Sequence, residues 1–149
     1  MKFLAVVAIL LAVNSASAFW TACPSTAQLT NVQSGQCTAA GCTVTRGGSL
    51  VASCDFIPTA AHGFLETRMS TVLLGETVNF PIDDTFINAC DHLRGRSCPT
   101  TPGQTHTWDW SLTVPFTFPQ VNNVPFRVEL VDRATGGTVL CFTVPATIN

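Results

Sequence analysis

Period-two alternation of apolar and polar residues runs through most of this chain, and no other feature limits its fold as strongly. Trp108, Trp110, Leu112 and Val114 share one side of an extended run, while Thr107, Asp109, Ser111 and Thr113 share the other. Val124, Phe126, Val128 and Leu130 repeat the pattern against Pro125, Arg127 and Glu129, and Leu140, Phe142 and Val144 repeat it after a Gly136-Gly137 turn. Leu50, Ala52, Cys54 and Phe56 form an earlier alternating run. Residues 64–74 and 77–80 are further strand candidates, separated by the turn signal Gly75-Glu76. Successive side chains of a strand point to opposite faces. Short runs rich in Val, Thr, Phe and Trp between Pro and Gly are what such strands look like in sequence. Beyond an N-terminal leader and a turn near 83–91, no window of helical period competes. No linker, internal repeat or low-complexity tract divides the chain. The expected architecture is all-β, a sandwich of about seven strands.

The first residues stand apart from this pattern. Met1 and Lys2 precede an unbroken apolar run over 3–13, and Ala16-Ser17-Ala18 supplies small residues of the cleavage type. Eleven apolar residues are too few to span a bilayer, so residues 1–18 read as a secretory signal peptide and 19–149 as one domain. Cleavage would remove Lys2, the only lysine, leaving six Arg against nine Asp and Glu. Phosphate binding needs clustered positive charge, which excludes a nucleic-acid surface. The high apolar content and the lack of basic blocks also argue against a disordered tail or a binder of anionic membranes.

Seven cysteines, at 23, 37, 42, 54, 90, 98 and 141, follow the leader. In an oxidising compartment they read as a disulfide set with one odd member, and roughly a hundred pairings are open to them. Cys37-Thr-Ala-Ala-Gly-Cys42 has the spacing to close a tight local loop, and 90–98 is a second, polar loop with Gly95 to turn it. Cys54 lies mid-strand on an apolar face, where a thiol behaves as a small hydrophobe rather than a nucleophile. The residues carry no other chemistry of note. There is no Gly-x-Ser-x-Gly elbow for His62, His92 or His106 to serve, and Asp91, His92 and Cys98 lack zinc-ligand spacing. Asp83 and Asp84 read as solvated turn residues. No catalytic residue, metal site or cofactor is expected. The inward faces, by contrast, are unusually bulky: nine of the ten Phe follow the leader, with no Tyr in the chain. That suits a tightly packed core and equally two sheets around an apolar cavity.

From Cys23 to Ile148 the chain resembles the ML-domain lipid-recognition family, the group of the Niemann–Pick type C secreted sterol carriers and the mite group-two allergens. The resemblance is carried by Cys37-x4-Cys42, Leu74-Gly75 leading to Phe80-Pro81, and Asn88-Ala89-Cys90 with Cys98-Pro99 ahead of the Gly103 turn. It continues through Trp108 and Trp110, Phe118-Pro119, and the ending Cys141-Phe142-Thr143-Val144-Pro145-Ala146. The order and spacing of six cysteines with these Pro and Gly markers carries the signal; no single marker does.

What the resemblance implies is an immunoglobulin-like sandwich bridged 23–141, 37–42 and 90–98, with Cys54 free. It implies an apolar cavity between the sheets that takes up a sterol or fatty acid, without chemistry. The expected lining is Phe56, Phe64, Val78, Phe80, Trp108, Trp110, Leu112, Phe126, Val128, Leu130 and Phe142, with Phe118 and Pro119 at the entrance. The expected partner is a small hydrophobic ligand, held by a monomer that touches a membrane or receptor only transiently. A second reading is an innate-recognition or receptor-associated module that presents lipid to a protein. The chain departs from the family pattern in having no Asn-x-Ser/Thr and no lysine after the leader, which favours plain secretion over endosomal-lysosomal sorting. Its 90–98 loop is also long, and is expected to reshape the entrance.

Overall fold

The computed structural model describes residues 18–149; the expected leader lies outside them apart from Ala18. Eleven strands follow in order: β1 Thr21–Ala22, β2 Gln28–Gln33, β3 Cys37–Thr38, β4 Gly41–Val44, β5 Ser49–Ile57 and β6 Leu65–Leu73. After them come β7 Glu76–Asn79, β8 Leu93–Arg94, β9 His106–Thr113, β10 Val121–Asp132 and β11 Thr138–Ile148. Two short 3-10 turns, Asp84–Phe86 and Ala89–His92, occupy the 83–91 region. Asn88 caps the second by accepting from the Cys90 amide.

The strands form two sheets. The larger runs β3-β4-β11-β10-β6-β7, with β1 added on β11, and the smaller runs β2-β5-β9-β8. Pairing is antiparallel except where β4 meets β11. The alternating runs are the central strands: Cys54 faces Trp108 and Ala52 faces Trp110 in the β5–β9 register, and Val128 faces both Phe142 and Met69. Each inward row thus buries a large side chain against its cross-strand neighbours, the unit that stabilises a sheet.

Two elements depart from the sequence reading, each for a local reason. The segment 28–33 is an edge strand, but a register shift between Leu29 and Asn31 breaks its alternation. The Cys37–Cys42 loop is itself a small ladder, with Cys37 directly opposite Cys42. At the end of β10 another shift in its pairing with β11 lies between Leu130 and Val131, and Val131 and Asp132 are both buried there. In the β6–β7 hairpin the two turn residues are Leu74 and Gly75, at φ 51° and 81°, as a type I′ turn requires.

Candidate functional site

The inward faces meet in one apolar layer. The large sheet contributes Leu65 and Met69 of β6, Phe126, Val128 and Leu130 of β10, and Leu140, Phe142 and Val144 of β11. The small sheet contributes Leu50, Ala52, Cys54 and Phe56 of β5 with Trp108, Trp110 and Leu112 of β9. Where a cavity is expected between the sheets, the layer is closed around four of its inward residues. Phe56, Leu130, Leu140 and Phe142 have no exposed surface, so no water-sized gap touches them. Trp110 and Phe142 reach toward each other from opposite sheets, with ring centroids 6.4 Å apart. An empty apolar space would forfeit dispersion contacts on every wall, and rings this large close it.

Of the expected lining and entrance residues, Phe56, Phe80, Trp108, Trp110, Leu112, Phe118, Phe126, Val128, Leu130 and Phe142 all belong to this layer, and half-buried Val78 packs against it. Two do not. Phe64 precedes β6, is half-buried, and carries the Arg133 guanidinium 4.4 Å above its ring. It has the outward parity of Glu66 and Arg68, whereas Leu65 points in. Pro119 is exposed beside buried Phe118. The sequence reading left out Met69, because Thr67 and Thr71 flank it on the same face and blur the apolar pattern of β6.

The layer has two different ends. At one, segment 114–120 crosses from β9 to β10, and Phe118 packs on Phe80, which packs on Phe126, both at 4.8 Å between centroids. Beside this cluster Leu74 and Phe116 stand exposed, Phe116 over Gly47 with no room for a Cβ there. At the other end lie the starts of β6 and β9 and all three histidines. His62 Nδ1 lies 2.6 Å from the Asp132 carboxylate. The His106 ring is held by the Gln104 carbonyl on Nδ1 and by the Thr101 amide, which donates to Nε2. His92 bonds the Thr85 carbonyl and stacks on Phe86. The 90–98 loop belongs to this second end, because Leu93 and Arg94 pair with Trp108 and Thr107. It does not reshape an entrance at Phe118, and its Arg94 is paired with Asp109 at 2.6 Å.

Three disulfides join Cys23 to Cys141, Cys37 to Cys42 and Cys90 to Cys98, and Cys54 is a free, buried thiol. Burial, reinforced by the negative charges of Asp55 and Asp109, pushes the Cys54 thiol far above its ordinary range. Among the described residues no disulfide and no side-chain hydrogen bond ties an inward residue of one sheet to an inward residue of the other. A concavity of about 790 Å³ does exist, but on the outer face of the large sheet. Its outward side chains include Arg68, Ser70, Arg127 and Glu129. Arg127 is paired there to Glu129 and Arg68 to Glu66, beside apolar Val72 and Ile82, so the trough has a mixed lining.

A family profile described as ML domain matches residues 17–148. No curated protein matches the sequence. Among solved structures, a Niemann-Pick type C2 protein from the Japanese carpenter ant superposes with a TM-score of 0.75 at 20% identity, covering 87% of this chain and 98% of that one. Chicken MD-1 complexed with lipid IVa superposes with a TM-score of 0.51 at 14% identity, covering 85% of this chain and 86% of the other. At these identities the likeness is one of fold.

Proposed function

Since the chain belongs to the ML-domain family, we propose that it is a secreted carrier that takes up one hydrophobic lipid between its two sheets and hands it on without chemistry. The observation that carries this reading is the seam. The inward faces are largely apolar from the Phe80–Phe118–Phe126 cluster to Trp108, and among the described residues no side-chain hydrogen bond or disulfide joins an inward residue of one sheet to an inward residue of the other. Inward faces joined by no disulfide or side-chain hydrogen bond can part around a guest and close again without breaking a directional bond between those side chains. The chicken protein, of the same fold, was solved with a lipid, which supports the same class of guest here. Phe118 is the entrance residue in this reading, since it belongs to a segment that joins the sheets rather than to either one. The leader read from residues 1–18 and the three disulfides support secretion.

The magnitudes fit a carrier that binds and releases. Burying a chain of about sixteen carbons contributes about 12 kcal/mol gross, at about 0.8 kcal/mol per methylene. Immobilising the guest costs about 4 kcal/mol or more, so the net is at most about 8 kcal/mol, a micromolar affinity at its tightest. Catalysis has no support: His62 and Asp132 form a buried pair, but no hydroxyl or thiol bonds His62 Nε2 among the described residues. Exposed Leu74 and Phe116 beside the entrance cluster favour a second reading, a module that shows its lipid to a protein partner. Organic extraction of the purified protein followed by mass spectrometry tests the first reading. The expected result is a co-purifying lipid near one per chain. A protein that purifies empty, and that no sterol or fatty acid stabilises against heat, would overturn it.

A further inference from the structure

The chain crosses between the sheets at both ends of the sandwich, and its crossings are tied down unevenly. At the histidine end residues 58–64 pass from β5 of the small sheet to β6 of the large one. His62 fixes that crossing on both sides. Its amide donates to Thr100 Oγ1 at 2.9 Å and its carbonyl accepts from the Thr100 amide at 3.0 Å, which binds it to the loop leading into β9. Its Nδ1 lies 2.6 Å from Asp132 at the end of β10, and the ring has no other hydrogen bond among the described residues. The Thr100 hydroxyl donates onward to the Ala60 carbonyl, and the Gly103 amide donates to the Pro58 carbonyl. A second bridge runs beside the first. The Ile87 carbonyl accepts from the Thr67 amide of β6, and Leu93 pairs with Trp108 of β9, so residues 87–93 reach both sheets. The Cys90–Cys98 disulfide joins this bridge to the loop that holds His62. His62 is 7% and Thr100 2% exposed, so water competes poorly for these bonds.

At the Phe118 end one crossing is held and the other is not. Residues 45–48 pass from β4 to β5, with the Arg46 amide donating to the Asn149 carbonyl just past β11 and the Gly47 amide to the Val114 carbonyl just past β9. Residues 115–120 pass from β9 to β10, and among the described residues they make no backbone hydrogen bond to either sheet; the Phe118 amide donates only to the Pro115 carbonyl of the same segment. Phe118 rests on Phe80, the residue after β7, and β7 is an edge strand paired on one side among the described residues. Parting apolar side chains exposes surface that the hydrocarbon of a guest covers again. Parting the bonds around His62 would strand buried donors and acceptors, and hydrocarbon offers them nothing. We propose that the sandwich opens at one end only, as a wedge: the corner between β7 and residues 115–120 swings apart to admit the guest, while the histidine end stays shut as a hinge fixed by His62. His62 is a positioning residue, holding the crossing to Thr100 and Asp132 without touching the guest. This rests on the carrier reading and adds where the sandwich yields and where it holds.

The test measures distances across the sandwich by spin-label spectroscopy on the secreted form of the full chain, first stripped of lipid and then saturated with palmitic acid or with cholesterol. One label pair, at Thr77→Cys and Thr113→Cys, spans the Phe118 end from exposed positions of the two sheets. The other, at Ala134→Cys and Thr105→Cys, spans the histidine end, again from exposed positions. On loading, the first distance is expected to lengthen by about 4 Å, the contact thickness of one hydrocarbon chain, and the second by less than about 1 Å. His62→Ala should let the second distance lengthen by about 2 Å or more and should speed release of a fluorescent fatty acid about tenfold, the effect of one buried hydrogen bond to a charged group. Arg94→Ala, which breaks an exposed ion pair within the small sheet at the same end, should change neither. Equal lengthening at both ends, or lengthening at the histidine end alone, would overturn the hinge but leave the carrier reading standing. So would a His62→Ala protein whose histidine end stays shut and whose release keeps the parent rate. Should that variant not fold, the two distances in the chain with His62 in place decide alone. A bound probe with no lengthening at either end, or failure of both probes to bind, would overturn both readings.

Discussion

At the scale of single residues, burial decides which ionisable groups matter. Cys54 is 1% exposed and faces Trp108, so forming its thiolate means placing a charge in the apolar layer near two carboxylates. Thiolate is the reactive form. A membrane-permeant thiol reagent at mildly alkaline pH is expected to leave the native protein unlabelled and to modify one thiol per chain after unfolding in denaturant; rapid native labelling would contradict this. Asp132 shows the opposite case. The hydrogen bond from His62 holds its carboxyl below the usual range, helped by the Ala134 amide. A carboxyl depressed in the folded state stabilises the fold above its ordinary value of about 3.9, and that stability is lost as pH falls through the lower folded value. Asp132→Asn should therefore cost about 1–3 kcal/mol near neutrality, where the charged partner is missing. The gap to the parent protein should shrink as pH drops below about 4, which melting curves across that window would read.

At the scale of elements, the β6–β7 hairpin and the 114–120 segment make different demands. Leu74 occupies a left-handed turn position with its side chain wholly exposed, so it spends conformational energy with no packing in return. Leu74→Asn should raise stability by about 0.5–1 kcal/mol, seen as a melting temperature about 2–4 °C higher. A fall would show that Leu74 makes contacts its exposure does not reveal. Phe118 and Phe126 belong to one aromatic cluster, yet Phe126 is in a central strand and Phe118 in a crossing segment. Phe126→Ala should cost about 3–5 kcal/mol, as core Phe truncations do. Phe118→Ala should cost less and should speed lipid loss more; equal drops in melting temperature would remove Phe118 from the entrance. These elements also mark how far the sequence could be read. The central strands were legible because they alternate over most of their length, strictly so in β5 and β9, as Trp108, Trp110 and Leu112 do. Strand β2 was not, because its bulge breaks the period, nor was the inward role of Met69 between two threonines. The parity of Phe64 depends on where β6 begins, a boundary that one residue of uncertainty inverts. Whether the layer stands open or closed was beyond the sequence, because the same bulky side chains serve both states.

At the scale of the whole molecule, the covalent and ionic links lie everywhere except across the seam. Cys23–Cys141 encloses 118 positions of chain and fastens the first segment to β11, within the large sheet. Cys37–Cys42 lies in that same sheet, and Cys90–Cys98 sits at the edge of the small one. The ion pairs Arg68–Glu66, Arg127–Glu129 and Arg94–Asp109 are on outward faces. No lysine follows residue 2. Opening and closing the seam therefore exchanges apolar surface with water or with a guest and moves no charge, and apolar burial responds little to screening at moderate salt. The three histidines all lie at the end away from Phe118. Lipid affinity should accordingly change by less than about twofold between about 50 mM and about 500 mM salt, and as little between about pH 6 and pH 8. Displacement of a fluorescent fatty acid across both ranges reads this directly. A tenfold fall with salt would mean that a charged headgroup is gripped at the rim, and the presenting-module reading would gain. A loss confined to acid and abolished by His92→Gln would instead mean that the histidine end governs release through the whole length of the sandwich.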